Sequence, residues 1–254
     1  MQSTIILDAG HGGFDNGASY EGRVEKDDTL RLALAVGQRL EEAGFPVVYT
    51  RTTDVYQRPI DKATIANQSG GDFFVSIHRN SSSIPNQYSG VQTLVYNDAG
   101  VPGQMARNIN EELEQIGFRN INVEERKDLA VLRRTSMPAV LVEAGFINSD
   151  EDNRTFDDNF NAMADAIATG IENTVGVATN ANTRLFGVQV GLFRRFENAQ
   201  YQLEEMMEQG YYAQIIDRNG YYTVVVGQES GLEAARQLER ELNRRGYDTL
   251  IVNI

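Results

Sequence analysis

The chain contains no cysteine and no tryptophan, and only two of its 254 residues are histidine. Without cysteine there is no disulfide framework and no thiolate metal site, so any bound metal must be held by nitrogen and oxygen ligands. Basic residues are also scarce: 23 Lys and Arg stand against 36 Asp and Glu, a net charge of −13. That balance argues against nucleic acid as a partner, because phosphate backbones are bound mainly by Lys and Arg, and no basic cluster stands out. No unbroken apolar run reaches the roughly 18 residues that suggest a membrane helix. The N-terminus lacks the basic start and apolar stretch of an export signal. Met1 leads almost at once into Thr4-Ile5-Ile6-Leu7-Asp8, which reads as a core strand, so a signal is expected to be absent or already removed.

What is present is organised in two parts. Residues 177–183, Val-Ala-Thr-Asn-Ala-Asn-Thr, are small and polar with no apolar period, and read as a linker between a domain at 1–176 and another at 184–254. From Arg184 on there are eight Arg and ten acidic residues, so the excess negative charge belongs to the first part. There, apolar strands (4–8, 45–50, 73–78, 91–96, 139–143) alternate with amphipathic helices (27–43, 59–69, 103–116, 160–175). In the first helix Leu30, Leu34 and Leu40 are expected inward. This alternation predicts an α/β fold, a twisted mixed or mostly parallel sheet with helices on both faces. After the linker the chain repeats without a gap when Gly191 is laid on Gly227, which also matches Val188 with Val224, Ala199 with Ala235, Gly210 with Gly246 and Ile215 with Ile251. Each copy reads strand, helix, glycine stop, strand, which predicts a small ferredoxin-like α+β domain.

The chemistry-bearing residues gather at strand ends. His11 follows the first strand in Asp8-Ala9-Gly10-His11-Gly12-Gly13, and His78 ends the apolar run that starts at Phe73. A loop histidine is more commonly a surface or capping residue, and a histidine at a strand edge often bonds a backbone carbonyl. Two histidines in the whole chain, both at strand C-termini, make a shared metal the sharper reading. Ligands collect at this edge of open α/β sheets, and a catalytic zinc needs three protein ligands and one open position. Glu25 starts the first helix, where it also suits the helix dipole. Glu143 ends the apolar strand 139–143, where a carboxylate is costly to bury unless it meets a cation, caps a segment or acts on a substrate.

Six stretches taken together resemble the zinc-dependent N-acetylmuramoyl-L-alanine amidases (the Amidase_3 family). They are Asp8 to Gly13, Val24-Glu25-Lys26-Asp27, Thr50-Arg51, Ser76-Ile77-His78 with Asn80, Val131-Leu132-Arg133, and Met137 to Phe146. In family order and spacing, the resemblance covers nearly all of residues 4–175. It implies a Zn²⁺ cofactor on His11, Glu25 and His78, Glu143 as the catalytic carboxylate, and Asn80 and Arg133 as supports of the site or contacts to the stem peptide. The repeat at 184–254 resembles a SPOR domain, which implies binding of peptidoglycan glycan strands, through the sheet face free of helices. Tyr221, Tyr222, Gln189 and Gln228 are candidates there. The domain order is similar to that of sporulation-associated cell-wall amidases, which implies an enzyme acting outside the cell or in the wall; a monomer is expected. Arg79 departs from the family pattern and is expected to bring positive charge near the metal. The short stretch Asn97 to Pro102 leaves no room for the plugging helix of activator-regulated relatives, so the site is expected to be open. Rival readings are a zinc peptidase cutting within the stem peptide, a phage endolysin with the same chemistry, and a non-catalytic wall-binding protein.

Overall fold

The computed structural model describes residues 2–180, 186–218, 220–229 and 232–254. In chain order the first part comprises β1 (Ile5–Ala9), β2 (Ser19–Tyr20), β3 (Arg23–Val24), α1 (Glu25–Glu42), β4 (Val47–Tyr49), α2 (Pro59–Ser69), β5 (Phe73–Asn80), β6 (Val91–Val95), α3 (Gly100–Gln115), β7 (Asn120–Glu125), α4 (Ala130–Arg133), β8 (Ala139–Phe146), α5 (Asp150–Asp158) and α6 (Phe160–Asn180). Its six-stranded sheet has the order β4-β1-β5-β8-β6-β7. The first four strands are parallel, β6 is antiparallel to β8, and β7 is parallel to β6. Strands buried on both faces read as continuous apolar runs, and Ile5, Ile6 and Leu7 are all fully buried.

One sheet face is covered by α1, α3 and α6. Helix α1 buries Leu32, Val36 and Leu40 at helical spacing, while Leu30 and Leu34 lie at the margins of that face; burial of a leucine side chain stabilises by roughly 1.5–3 kcal/mol. Pro59 opens α2, where its missing N–H costs nothing, and Gly70 at φ 70° closes it. The opposite face carries α2 and α4, so helices lie on both sides as expected.

The second part comprises β9 (Phe186–Phe193), α7 (Phe196–Glu208), β10 (Ala213–Arg218), β11 (Tyr221–Glu229), α8 (Leu232–Arg244) and β12 (Leu250–Asn253). Its antiparallel sheet has the order β10-β11-β9-β12, built from two strand-helix-strand copies that coincide with the sequence repeat. Helix α6 continues to Asn180, so residues 177–180 of the stretch read as a linker are helical, and 181–183 lie outside the described residues. The two parts touch. Leu94, Tyr96, Leu132 and Ala139 share one apolar cluster with Met207 and Ala213. The contact is reinforced by an Arg134–Glu204 ion pair, a hydrogen bond from Asn97 to the Gly210 carbonyl, and one from Ile215 N to Ser136 O at 3.3 Å.

Side chains alternate along β11, and this corrects one expectation. Tyr222 packs on Phe196 of α7, with ring centroids 5.3 Å apart, so it faces the helices. Tyr221 points the other way, beside Arg194, which donates to its hydroxyl at 3.2 Å. Gln228 donates to the Tyr212 hydroxyl.

Candidate metal centre

Three parallel strands bring the chemistry to one edge. Beyond β1 the chain turns at Gly10, whose N–H donates to Ile77 O at 3.0 Å, and presents His11 at φ 58°, a left-handed conformation that non-glycine residues seldom adopt. Paired backbone hydrogen bonds between Gly12 and Asp15 close this turn. His78 stands near the end of β5, and Glu25 is the first residue of α1. Glu25 lies between the imidazoles: its Oε2 is 3.2 Å from His11 Nε2 and its Oε1 is 2.9 Å from His78 Nδ1. The two rings are 5.0 Å apart and nearly perpendicular.

This geometry fits a metal ion of nitrogen–oxygen preference. One ligand atom from each of His11, Glu25 and His78 lies within 4.8 Å of the other two. The imidazoles keep 24% and 19% of their surface, which leaves an outward position for water or substrate, while Glu25 keeps 5%. Asp15 Oδ2 lies 2.9 Å from His11 Nδ1, so that nitrogen donates and Nε2 keeps its lone pair for the centre, the usual outer arrangement at a metal-bound histidine. Two glycines make room. A Cβ on Gly10 would sit 2.5 Å from His78 Cε1, and one on Gly17 would sit 2.6 Å from both Glu25 Oε2 and His11 Cδ2.

The electrostatics point the same way. Burial pushes the Glu25 carboxyl up, but hydrogen bonds and charges from His11 and His78 outweigh it and hold Glu25 well below the usual range. Burial likewise disfavours a charged His11, yet Glu25 and Asp15 raise it to about 9. The cluster thus binds positive charge strongly, as protons or as a cation that displaces them.

Beneath the loop a buried network fixes its position. Asp8, fully buried, accepts from Lys62 Nζ (2.6 Å), Thr50 Oγ1 (2.6 Å) and Ser76 Oγ (2.6 Å). Arg51 donates to the carbonyls of Ala9 (3.0 Å), Gly10 (2.8 Å) and Lys26 (2.9 Å), tying the His11 turn to the start of α1. Asp15, Asp8, Lys62 and the positioning role of Arg51 were not singled out from the sequence. Only the i+4 spacing of Asp15 from His11 offers a local clue.

Glu143 stands in register beside His78 on one side and Gln92 on the other, so the three share a face of the sheet. Its Oε2 is buried and has no hydrogen-bond partner, and burial pushes its carboxyl up to about 7. Asn80, two residues past His78, donates to Gln92 Oε1 at 3.3 Å, and Gln92 in turn donates to Asn122 and Glu124 of β7. Arg133 ends α4 with a buried Nε that has no partner. None of its described hydrogen bonds or ion pairs reaches the His11–Glu25–His78 cluster.

Arg79 overturns the expectation of positive charge near the metal. It alternates with His78 and Asn80 and therefore enters the opposite face of the strand, 2% exposed, where it pairs with Asp28 at 2.5 Å and lies 4.3 Å over the Phe156 ring. Only its backbone N–H touches the centre, donating to Glu25 Oε1 at 3.0 Å. Between β6 and α3 there are only residues 96–99, so among the described residues no inserted helix covers the cleft.

Comparison with known proteins gives the arrangement a family. Residues 5–173 match the N-acetylmuramoyl-L-alanine amidase family, and residues 182–253 match the SPOR domain family. The chain is 34% identical over 201 residues to a sporulation-specific N-acetylmuramoyl-L-alanine amidase of Bacillus subtilis, covering 77% of each. It is 33% identical over 222 residues to an N-acetylmuramoyl-L-alanine amidase of Bacillus licheniformis, covering 85% of each. Among solved structures, the catalytic domain of an amidase from Bacillus (Paenibacillus) polymyxa superposes with a TM-score of 0.64 at 30% identity, covering 70% of this chain and 99% of that one. An amidase from Clostridium difficile 630 gives 0.65 at 28%, covering 71% and 99%. From its first strand to the C-terminal repeat, the chain belongs to the N-acetylmuramoyl-L-alanine amidase family and carries a C-terminal SPOR domain.

Proposed function

We propose that this chain hydrolyses the amide between N-acetylmuramic acid and L-alanine of peptidoglycan, with Zn²⁺ held by His11, Glu25 and His78. The observation that carries the reading is the convergence of those three side chains, from separate segments, on one open position beside the unpartnered carboxyl of Glu143. Zinc held there supplies Lewis-acid activation of a water and of the scissile carbonyl. Glu143 is suited to move the proton: a carboxyl near neutrality with a free oxygen accepts a proton from the attacking water and returns it to the alanine nitrogen as the C–N bond breaks. Asp15 holds the His11 tautomer, and Arg51 with the Asp8–Lys62 pair keeps the turn in place. Asn80 and Arg133 are assigned to the stem-peptide side of the cleft.

The C-terminal domain, at 184–254, is proposed to hold the enzyme on glycan strands through the sheet face that carries Tyr221 and Gln189. Among the described residues no helix is long and apolar enough to cross a membrane. The site of action is the cell wall, and the sporulation-specific relative favours a role in spore formation or mother-cell lysis.

Metal analysis combined with mass spectrometry of digested muropeptides tests the reading. The expected result is one zinc per chain and peptides released intact with L-alanine at their head. Shortened peptides would instead mean a peptidase that cuts within the stem. His78→Ala is expected to lose both metal and turnover, and Glu143→Gln to lose turnover alone.

A further inference from the structure

We infer that Phe14 and Tyr56 form a stacking platform for the pyranose ring of the muramic acid whose amide is cut; this rests on the amidase reading and extends it to a sugar subsite. Phe14 is 80% exposed and Tyr56 41%, and their rings lie 4.0 Å apart, tilted by 32°. A single exposed apolar side chain needs no explanation, but a stacked aromatic pair whose outer face is left in water three residues from a metal ligand marks a binding surface. The pair is also held rigidly. A Cβ on Gly13 would come within 2.7 Å of Tyr56 N, so the two loops are in direct backbone contact. Asp54 accepts from Gly13 N at 2.7 Å, and Lys26, next to Glu25, donates to both Gly13 O (2.7 Å) and Asp54 (2.8 Å). The platform is therefore tied to the same helix start that supplies a metal ligand.

The order of the sheet decides which end of the substrate lies there. His11 follows β1 and His78 belongs to β5, while Glu143 lies on β8, on the side toward β6 and β7. The proton goes from Glu143 to the departing nitrogen, so the amine half of the substrate extends over β8 and β6. The acyl half must then extend the other way, over β1 and β4. Phe14 follows β1 and Tyr56 follows β4. The acyl half is the lactyl ether of muramic acid, so a pyranose sits within one ring's length of the scissile carbonyl on that side. The C–H face of a pyranose is apolar and matches an aromatic face, while its hydroxyls need acceptors at the rim, where Asp15 and Asp54 are 41% and 47% exposed.

Two substrates with one stem peptide test this: a disaccharide-linked muropeptide and the same peptide carrying only a D-lactyl group. Phe14→Ala and Tyr56→Ala are expected to lower kcat/KM on the disaccharide substrate by about tenfold, mainly through KM, and to leave the lactyl-peptide rate unchanged. Phe14→Trp is expected to retain the unmutated value. Equal loss on both substrates, or no loss on either, overturns the inference. Binding gives a readout independent of turnover. With labelled phenylalanine, the ring resonance that disappears in Phe14→Leu should shift when an N-acetylglucosamine–N-acetylmuramic acid disaccharide is titrated in. A resonance that stays fixed at saturating disaccharide also overturns it. If the unmutated, zinc-loaded chain cleaves neither substrate, the amidase reading itself fails, an outcome distinct from failure of the platform.

Discussion

Replacing Glu143 by Gln should raise stability while abolishing turnover, because the carboxyl that suits the reaction is costly to the fold. Burial, with no hydrogen-bond partner for Oε2, raises this carboxyl from 4.5 to about 7 in the folded protein. In the unfolded chain it titrates at its ordinary value, so the folded state binds protons more tightly and ionisation opposes folding. The sign follows directly. Below pH 4.5 the group is protonated in both states and costs nothing, between 4.5 and about 7 the cost grows, and above 7 it is constant. The gap between the two values corresponds to on the order of 3 kcal/mol at pH 8. For a protein of this size, each kcal/mol moves the melting temperature by about 2–4 °C. Glu143→Gln keeps the shape and removes the charge. By calorimetry in the presence of a chelator, the catalytic domain of the variant should melt several degrees above the unmutated protein at pH 8 and level with it near pH 4. Hydrolysis of purified walls should fall by about 10² to 10⁴, with zinc content unchanged in the metal-loaded form. A variant that melts lower at pH 8, or is shifted equally at both pH values, would mean that Glu143 has a stabilising partner in the folded state and that its perturbed carboxyl has another cause. Unimpaired lysis would remove Glu143 from the chemistry.

Asp15→Ala should lower zinc affinity about 10- to 100-fold in a chelator competition, since no side chain at 15 then accepts the Nδ1 proton of His11; unchanged affinity would exclude an orienting role. Lys62→Met leaves Asp8 buried without its cation and should cost about 3–5 kcal/mol in urea denaturation at pH 7. Burial pushes Asp8 up, but Lys62, Ser76 and Thr50 outweigh it and hold the carboxyl below its ordinary 3.8, so its contribution is present at neutral pH and lost as the pH falls through the folded value. The variant and the unmutated chain should therefore converge in acid, and a constant difference down to pH 2 would contradict the assignment. Removing residues 181–254 should abolish retention on intact walls while sparing turnover of soluble muropeptides. It also uncovers Tyr96, Leu132 and Ala139, so sedimentation should show more self-association than in the full chain.

Strands β1, β5 and β8 are legible in the sequence because burial on both faces demands an unbroken apolar run. A polar residue at the end of such a run is conspicuous, which is why His11, His78 and Glu143 can be read directly. The elements that escape are those without that pressure. Strand β7, Asn-Ile-Asn-Val-Glu-Glu, lies at the sheet edge and offers only Ile121 and Val123 to the pattern. Helix α5 buries only Asp152 and Phe156, too few to make a period. Arg79 was misplaced for a different reason. Proximity in sequence to two site residues suggested proximity in space, whereas strand alternation sends its side chain through to the opposite face, where Asp28 and Phe156 receive it.

The supporting residues of the centre are the least legible part, and the cause is physical. Lys62 is 54 residues from Asp8, and Arg51 reaches carbonyls 25 and 41 residues away, so no local pattern links them. Each is a charged residue that would ordinarily face water. What brings them inside is the parallel sheet, which stacks the C-terminal ends of its strands and leaves the carbonyls of the His11 turn without ladder partners. A buried carbonyl without a donor costs about 1–3 kcal/mol, and Arg51, Lys62 and the Thr29 hydroxyl supply the donors for Ala9 and Gly10. The left-handed turn that aims His11 at Glu25 is therefore not an isolated loop conformation: it persists because two buried cations and the Thr29 hydroxyl satisfy the carbonyls that it turns inward.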